Sequence, residues 1–174
     1  FDLAPTASTT AALALGDALA MALLEQKGFT AEDFARTHPG GNLGRRLLTH
    51  VRDVMRQGKE IPAVAETATF AEAILEMSKK GLGMTAVVDG NRHVIGIYTD
   101  GDLRRTLEKN ADLRQVSIAT IMTRKPRTIS PEQLAVEAVQ IMEQHKVNQL
   151  LVVDGKQRLV GALNMHDLFR AKVI

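Results

Sequence analysis

The chain has 174 residues, 45% hydrophobic and 24% charged, the balance of one or two ordinary globular domains. Aromatic residues make up 3%, with one Tyr and no Trp, so the core must be aliphatic, and a base-stacking platform for single-stranded nucleic acid is not expected. Net charge is +2 from 22 basic and 20 acidic side chains, too even to imply a nucleic-acid partner, and the lack of Cys excludes disulfides and thiolate chemistry.

Phe1-Asp2-Leu3-Ala4-Pro5 carries no initiator Met and reads as the end of a strand, so a longer parent protein is expected. Ser8-Thr9-Thr10 precedes an Ala/Leu-rich run over 11–26, an N-cap signal ahead of strong helix formers, with Gly28 as the stop. Only Gly16 and Asp17 interrupt the apolar character of 11–24. Such a helix needs burial on most faces, and the upstream part is expected to provide it. Thr30-Ala31-Glu32-Asp33 predicts a capped short helix ending at Thr37, and His38-Pro39-Gly40-Gly41 breaks it. No apolar run is expected to reach the roughly 20 residues of a membrane span, and no basic-then-apolar leader is visible, so the cytoplasm is the expected compartment.

From residue 51 the sequence repeats. Val51-Arg52-Asp53-Val54-Met55 opens one copy and Ile118-Ala119-Thr120-Ile121-Met122 the other, as extended segments. An amphipathic helix follows in each: over 69–80 with a Thr69…Glu72 capping box, and from Ser130-Pro131-Glu132-Gln133 with Pro at the first helical position. Then come strand, Asp-Gly turn, strand and helix start, at Thr85-Ala86-Val87-Val88-Asp89-Gly90 and Leu150-Leu151-Val152-Val153-Asp154-Gly155 and the residues after them. Asp89 and Asp154, Gly96 and Gly161, and Asp102 and Asp167 share one offset of 65, whereas the opening methionines are 67 apart. Asn110-Ala111-Asp112-Leu113 links the copies. One unit is near the lower size limit for a stable core, so the two are expected to pack together.

Thr99 and Asp102 are the leading candidate site residues. A carboxylate suits the paired hydroxyls of a ribose, and a hydroxyl at a helix start suits phosphate. Simple capping of the helix is the competing reading. His38 has the pKa range for moving a proton between sugar carbons, but a helix-terminating His is the ordinary alternative. His50, His93, His145 and His166 show no metal-ligand spacing, so no metal site is expected. Gly40-Gly41-Asn42-Leu43-Gly44 follows a helix and reads as a turn, not a dinucleotide loop. Arg45-Arg46 and Arg104-Arg105 read as solvated faces.

The "DVM" and "TIM" openings, the "VVDG" hairpins and the Gly-apolar-apolar-Thr-x-x-Asp stretch Gly96-Ile97-Tyr98-Thr99-Asp100-Gly101-Asp102 together resemble a tandem pair of CBS domains, over 51–173. The second copy has Asn164 where that family usually has Ser or Thr. Ala4-Pro5-Thr6-Ala7-Ser8-Thr9-Thr10, the Ala-rich helix and Phe34-Ala35-Arg36-Thr37-His38-Pro39-Gly40-Gly41 resemble the tail of a sugar-isomerase (SIS) domain. A SIS tail directly before a CBS pair is similar to the bacterial arabinose-5-phosphate isomerase family.

The resemblance implies an α/β (α+β) chain. It comprises a helical SIS remnant over 1–48, CBS repeat 1 over 51–108 and CBS repeat 2 over 117–174, each repeat a small sheet with two helices. It implies an aldose-ketose isomerase between D-arabinose 5-phosphate and D-ribulose 5-phosphate, in the supply of Kdo for lipopolysaccharide. The present piece would be inactive, because most of the SIS domain with its phosphate loop and acidic and Lys residues is missing. His38 takes the place of the family's active-site His, acting across a subunit boundary. In the CBS family one cleft joins the Asp motif of one repeat to the early strand residues of the other. That carries over to Thr99 and Asp102 with Thr128, Asn148 and Gln149, with Lys125 and Arg127 adding charge for phosphate. The pseudo-symmetric cleft would use Asn164 and Asp167 with Ala65, Gly83 and Met84, and ranks second for want of the hydroxyl and for its apolar Met.

The implied partners are a sugar phosphate substrate for the full-length enzyme and a nucleotide-type effector, CMP-Kdo or the generic AMP or ATP. A homo-oligomer is also implied, a dimer of CBS pairs and a tetramer at full length. No catalytic cofactor, nucleic acid or membrane is implied. The alternative is an oligomerisation module that binds no ligand.

Overall fold

The computed structural model describes residues 6–37, 47–109 and 116–174. Helix α1 (Thr6–Gln26) begins earlier than the hydroxyl cluster suggests. Thr9 and Thr10 therefore lie inside its first turns, and their hydroxyls donate to the Thr6 carbonyl (3.0 and 2.9 Å) instead of capping. Gly28, at φ +62°, closes the helix in the left-handed conformation that suits glycine. At 21 residues and mean hydropathy 1.5, α1 is long and apolar enough to cross a membrane by length and composition. This corrects the expectation that no run approaches that length. None of its residues is buried, and Leu13 and Met21 are 71% and 65% exposed. Helix α2 (Ala31–Thr37) starts at the Thr30–Asp33 box: the Thr30 N–H and hydroxyl donate to Asp33 (3.0 and 2.8 Å) and hold its carboxyl below its ordinary value.

The first repeat contains α3 (Val51–Val54), a 3₁₀ turn (Gly58–Glu60), β1 (Ala63–Ala65), α4 (Phe70–Lys80), β2 (Met84–Val88), β3 (Val94–Thr99) and α5 (Asp100–Lys109). The second contains α6 (Ile118–Ile121), β4 (Thr123–Arg124), β5 (Thr128–Ile129), α7 (Ala135–His145), β6 (Gln149–Val153), β7 (Leu159–Asn164) and α8 (Met165–Arg170). One sheet runs β1-β2-β3-β4 and the other β5-β6-β7. In each, the first pair is parallel and the hairpin antiparallel, with a bulge at Val87/Val88 or Val152/Val153. Chain order and sheet order place this in the mixed α/β class.

The openings of the repeats are exchanged. Strand β4, just after the second opening, pairs with β3 of the first repeat. Arg56, just after the first opening, pairs with Ala162 of β7 through backbone bonds of 2.8 and 3.2 Å. Val51 is buried among Ile129, Met142 and Leu150 of the second repeat, and Ile118 among Ala73, Val87 and Tyr98 of the first. A third cluster, with Ile61, Met84, Ile97, Leu151 and Ala162, joins the two repeats. The thioethers of Met122 and Met55 lie over Gly96 and Gly161, where a Cβ would overlap them.

Two local expectations change for one reason: the backbone groups of the openings need partners. The openings are single helical turns, not extended segments, because Val51 and Arg52 donate to the carbonyls of Gln133 and Pro131 (2.9 and 3.0 Å). Helix α7 starts at Ala135 and not at Ser130, because 131–134 is held as a turn by those bonds, and the Ala135 N–H goes to Thr49 (2.8 Å). The capping box on α4 forms as the spacing predicts, with Thr69 and Glu72 exchanging bonds of 2.8 and 3.3 Å.

The Asp-Gly hairpins are five-residue connections. The positive φ falls on Arg92 (+66°) and Gln157 (+61°), not on the glycines. Asp89 accepts the N–H groups of Asn91 and His93, and Asp154 those of Lys156 and Arg158, so the aspartates build the turns. The Arg158 backbone N–H and then its side chain hold Asp154 down at about 2.

Tyr98, the one tyrosine, is fully buried, donates to the Thr106 hydroxyl (2.9 Å) and stands edge-on to Phe70. Burial pushes its pKa above 10.0. A folded-state value above the unfolded one means that stability is complete below pH about 10 and falls as pH rises past it. Ultraviolet titration is expected to show a single phenol ionising above the free-tyrosine midpoint, with unfolding on the same alkaline limb. A midpoint at the free value contradicts the packing.

Candidate functional site

Strand β3 hands over to α5 at Thr99, and the apolar residues Ile97 and Tyr98 anchor that corner in the core. Thr99 caps α5: its N–H and hydroxyl donate to Asp102 Oδ2 (2.9 and 2.7 Å), and the Asp102 N–H returns to Thr99 Oγ1 (3.3 Å). The other carboxylate oxygen, Oδ1, accepts from Arg105 (2.7 Å) and from the Thr123 hydroxyl of the opposite repeat (3.2 Å). Asp102 is 7% exposed, so one carboxylate both caps a helix and faces the groove between repeats.

That groove is a cavity of about 320 Å³. Thr99, Asp102 and Arg105 line one side, and Thr123, Lys125, Arg127 and Gln149 the other, over an apolar wall of Ile97, Pro126 and Val147. Three cations surround one carboxylate, so the cavity favours an anion that also presents hydroxyl groups. Gln149 opens β6 and donates to the Gly83 carbonyl (3.4 Å). Of the carried-over residues, Thr99, Asp102, Lys125, Arg127 and Gln149 meet here. Thr128 does not: it pairs with Leu151 and lines a separate hollow with Val153 and Asp154. Asn148 does not line it either; its carbonyl accepts the Met165 N–H (3.0 Å).

In the pseudo-symmetric cleft Asn164 caps α8 with Asp167 (3.1 and 3.0 Å), so the amide replaces the missing hydroxyl as a cap. Met84 is fully buried in the shared core and corrects its assignment to a binding surface. Gly83 packs against Asp100 and Gln149, and Ala65 lines a different hollow beside Thr67. A depression of about 490 Å³ remains, with Asp53, Arg56, Glu60, Asp167 and Arg170 on its rim. His38 and the Gly40–Gly44 turn lie outside the described residues. Among the described residues no three His, Asp or Glu side chains gather as metal ligands.

Two groups in the cavity escaped the sequence reading. Arg105 reads as a solvated face, yet it lies three residues after Asp102 on one helix face and pairs with it. Thr123 directly follows the second opening Met, and its exchange into the other repeat brings it to Asp102.

The CBS domain family matches residues 51–109 and 118–174, and the chain belongs to that family, as a tandem pair. The pair is similar in fold to the CBS domain protein PAE2072 from Pyrobaculum aerophilum complexed with AMP, at TM-score 0.62 and 21% identity, covering 68% of this chain and 89% of that one. It is equally similar to the CBS domain pair of protein MJ0100 in complex with 5′-methylthioadenosine and S-adenosyl-L-methionine, at TM-score 0.63 and 24% identity, covering 70% of this chain and 94% of that one. Over 99% of its length the chain is 57% identical to the arabinose 5-phosphate isomerase KdsD of Pseudomonas aeruginosa, covering 53% of that protein. The chain thus spans about half the length of the curated relatives it matches.

Proposed function

We propose that this chain is the regulatory part of an arabinose-5-phosphate isomerase and that the cavity at Asp102 takes a nucleotide-type effector. The observation that carries the reading is a nearly buried carboxylate facing a groove ringed by Arg105, Lys125 and Arg127. Ribose hydroxyls would take over the Asp102 oxygen now shared by Thr123 and Arg105, and phosphate oxygens would pair with the freed Arg105, Lys125 and Arg127. AMP-bound and S-adenosylmethionine-bound neighbours of the same fold support the ligand class. CMP-Kdo fits the same chemistry through its cytidine monophosphate part, as the end product of the route that the relatives' activity would feed.

The parent enzyme would interconvert an aldose and a ketose 5-phosphate in the cytoplasm as a homo-oligomer, with His38 moving a proton. The present 174 residues alone would be inactive. Calorimetry on this chain with CMP-Kdo, AMP and ATP tests the effector site. At least one should give heat, and Asp102→Ala should weaken it about 10- to 100-fold, the worth of a lost charge-assisted hydrogen bond. No heat from any of the three removes the effector reading. One observation favours a purely oligomerising module: Leu75, Leu107 and Phe169 stand 70%, 56% and 57% exposed on α4, α5 and α8. In that case Asp102→Ala changes neither the activity of the full enzyme nor its response to metabolites.

A further inference from the structure

We infer that Arg56 is a built-in occupant of the second cleft, which leaves the CBS pair a single nucleotide site. Each motif carboxylate is neutralised by an arginine, but the two arginines differ in how they are held. Arg105 sits on the same helix as Asp102, makes one bond to it, and its side chain is 64% exposed. It can swing off Asp102 toward the phosphate of an arriving ligand. Arg56 comes from the opposite repeat, and its side chain is 26% exposed. Its guanidinium donates to both oxygens of Asp167 (3.3 and 3.4 Å) and to the Lys80 carbonyl (3.1 Å). Its own N–H and carbonyl are locked to Ala162 on β7. Withdrawing the side chain from this fixed root breaks three hydrogen bonds at once, two of them across the repeats.

The counterpart of Arg56, directly after the other opening Met, is Thr123. A short hydroxyl there leaves Asp102 facing the first cavity; in the second cleft a guanidinium lies across Asp167, and the depression of about 490 Å³ that remains is bordered by Asp53, Glu60 and Arg170 and not by Asn164, Leu82 or Met84. The inner wall follows suit, with Val147 and Gln149 lining the first cavity and their counterparts Leu82 and Met84 buried. Charge points the same way. Three cations face one carboxylate in the first cleft, whereas Asp53, Glu60 and Asp167 face Arg56 and Arg170 in the second. Removing Arg56 would leave a more acidic cleft, so the site gained would take an uncharged nucleoside and not a nucleotide.

The stoichiometry rests on the effector reading above; the closure by Arg56 does not. The wild-type chain, Asp102→Ala and Arg56→Thr are titrated with AMP and with adenosine, with thermal melts confirming that each is folded. One AMP per wild-type chain is expected, bound about 10- to 100-fold more weakly in Asp102→Ala, and a weaker extra equivalent of adenosine in Arg56→Thr. A second AMP equivalent in the wild type, or a folded Arg56→Thr with wild-type adenosine stoichiometry, overturns the inference. If the wild type binds no AMP, the effector reading fails, while the adenosine difference still decides the role of Arg56. A test without variants is phenylglyoxal labelling of the wild type read by mass spectrometry. Arg105 should react about tenfold or more faster than Arg56, which is held closed by local structure, and equal rates overturn the closure.

Discussion

Gly161→Val is expected to destabilise the protein by about 3 kcal/mol, at the upper end of the cost of overpacking a filled core. Strand propensity alone says the opposite, since valine favours the middle of a strand such as β7. The cause lies across the pair. The Met55 thioether rests on the Gly161 backbone, and a new Cβ would overlap its sulfur and sit 3.2 Å from the Arg56 carbonyl. That carbonyl accepts the Ala162 N–H and has nowhere to retreat. Urea melts give the loss, and thermal midpoints should fall by roughly 6–12 °C. The double variant Met55→Ala/Gly161→Ala should be more stable than the sum of the single changes, because Met55→Ala removes the thioether that a Cβ at 161 would strike. Wild-type melting of Gly161→Val would contradict the contact.

Ile118→Ala is expected to cost about 3 kcal/mol, within the usual range for emptying a buried isoleucine site. The location of the effect is more informative than its size. Ile118 is numbered in the second repeat but is fully buried beside Ala73, Val87 and Tyr98 of the first. Amide exchange should therefore accelerate in β2 and β3 and change little in β6 and β7. Loss of protection confined to the second repeat would rule out the exchanged openings.

The repeat itself was legible, because Asp89/Asp154, Gly96/Gly161 and Asp102/Asp167 recur at one offset without a gap. The α4 cap was legible too, since Thr69 and Glu72 interact within one turn and need no distant partner. Thr99 and Asp102 could be named for the same reason, as local groups at a helix start. What the sequence hides is partnership at long range. Val51 and Ile118 look like ordinary apolar residues, and nothing in their neighbours says that each is buried in the other copy. The start of α7 was misplaced because Ser130-Pro131 carries every local start signal, while the bonds that pull 131–134 out of the helix come from residues about 80 positions away. Arg56 went unnoticed because the offset of 65 sets Thr123 against Gly58; only the offset of 67 at the opening methionines sets it against Arg56. Helix α1 shows the converse: its apolar surface is plain in the sequence, and its leucines stand exposed among the described residues.

The trading of the two openings bears on descent. A gene encoding one such unit would make a polypeptide with an orphaned hydrophobic plug and an unfilled socket. Two copies could satisfy each other only by inserting plug into socket reciprocally, as a twofold dimer. Fusing the genes of that dimer end to end would yield the present arrangement, and it would free each half to drift apart, with a threonine now at one seam and an arginine at the other.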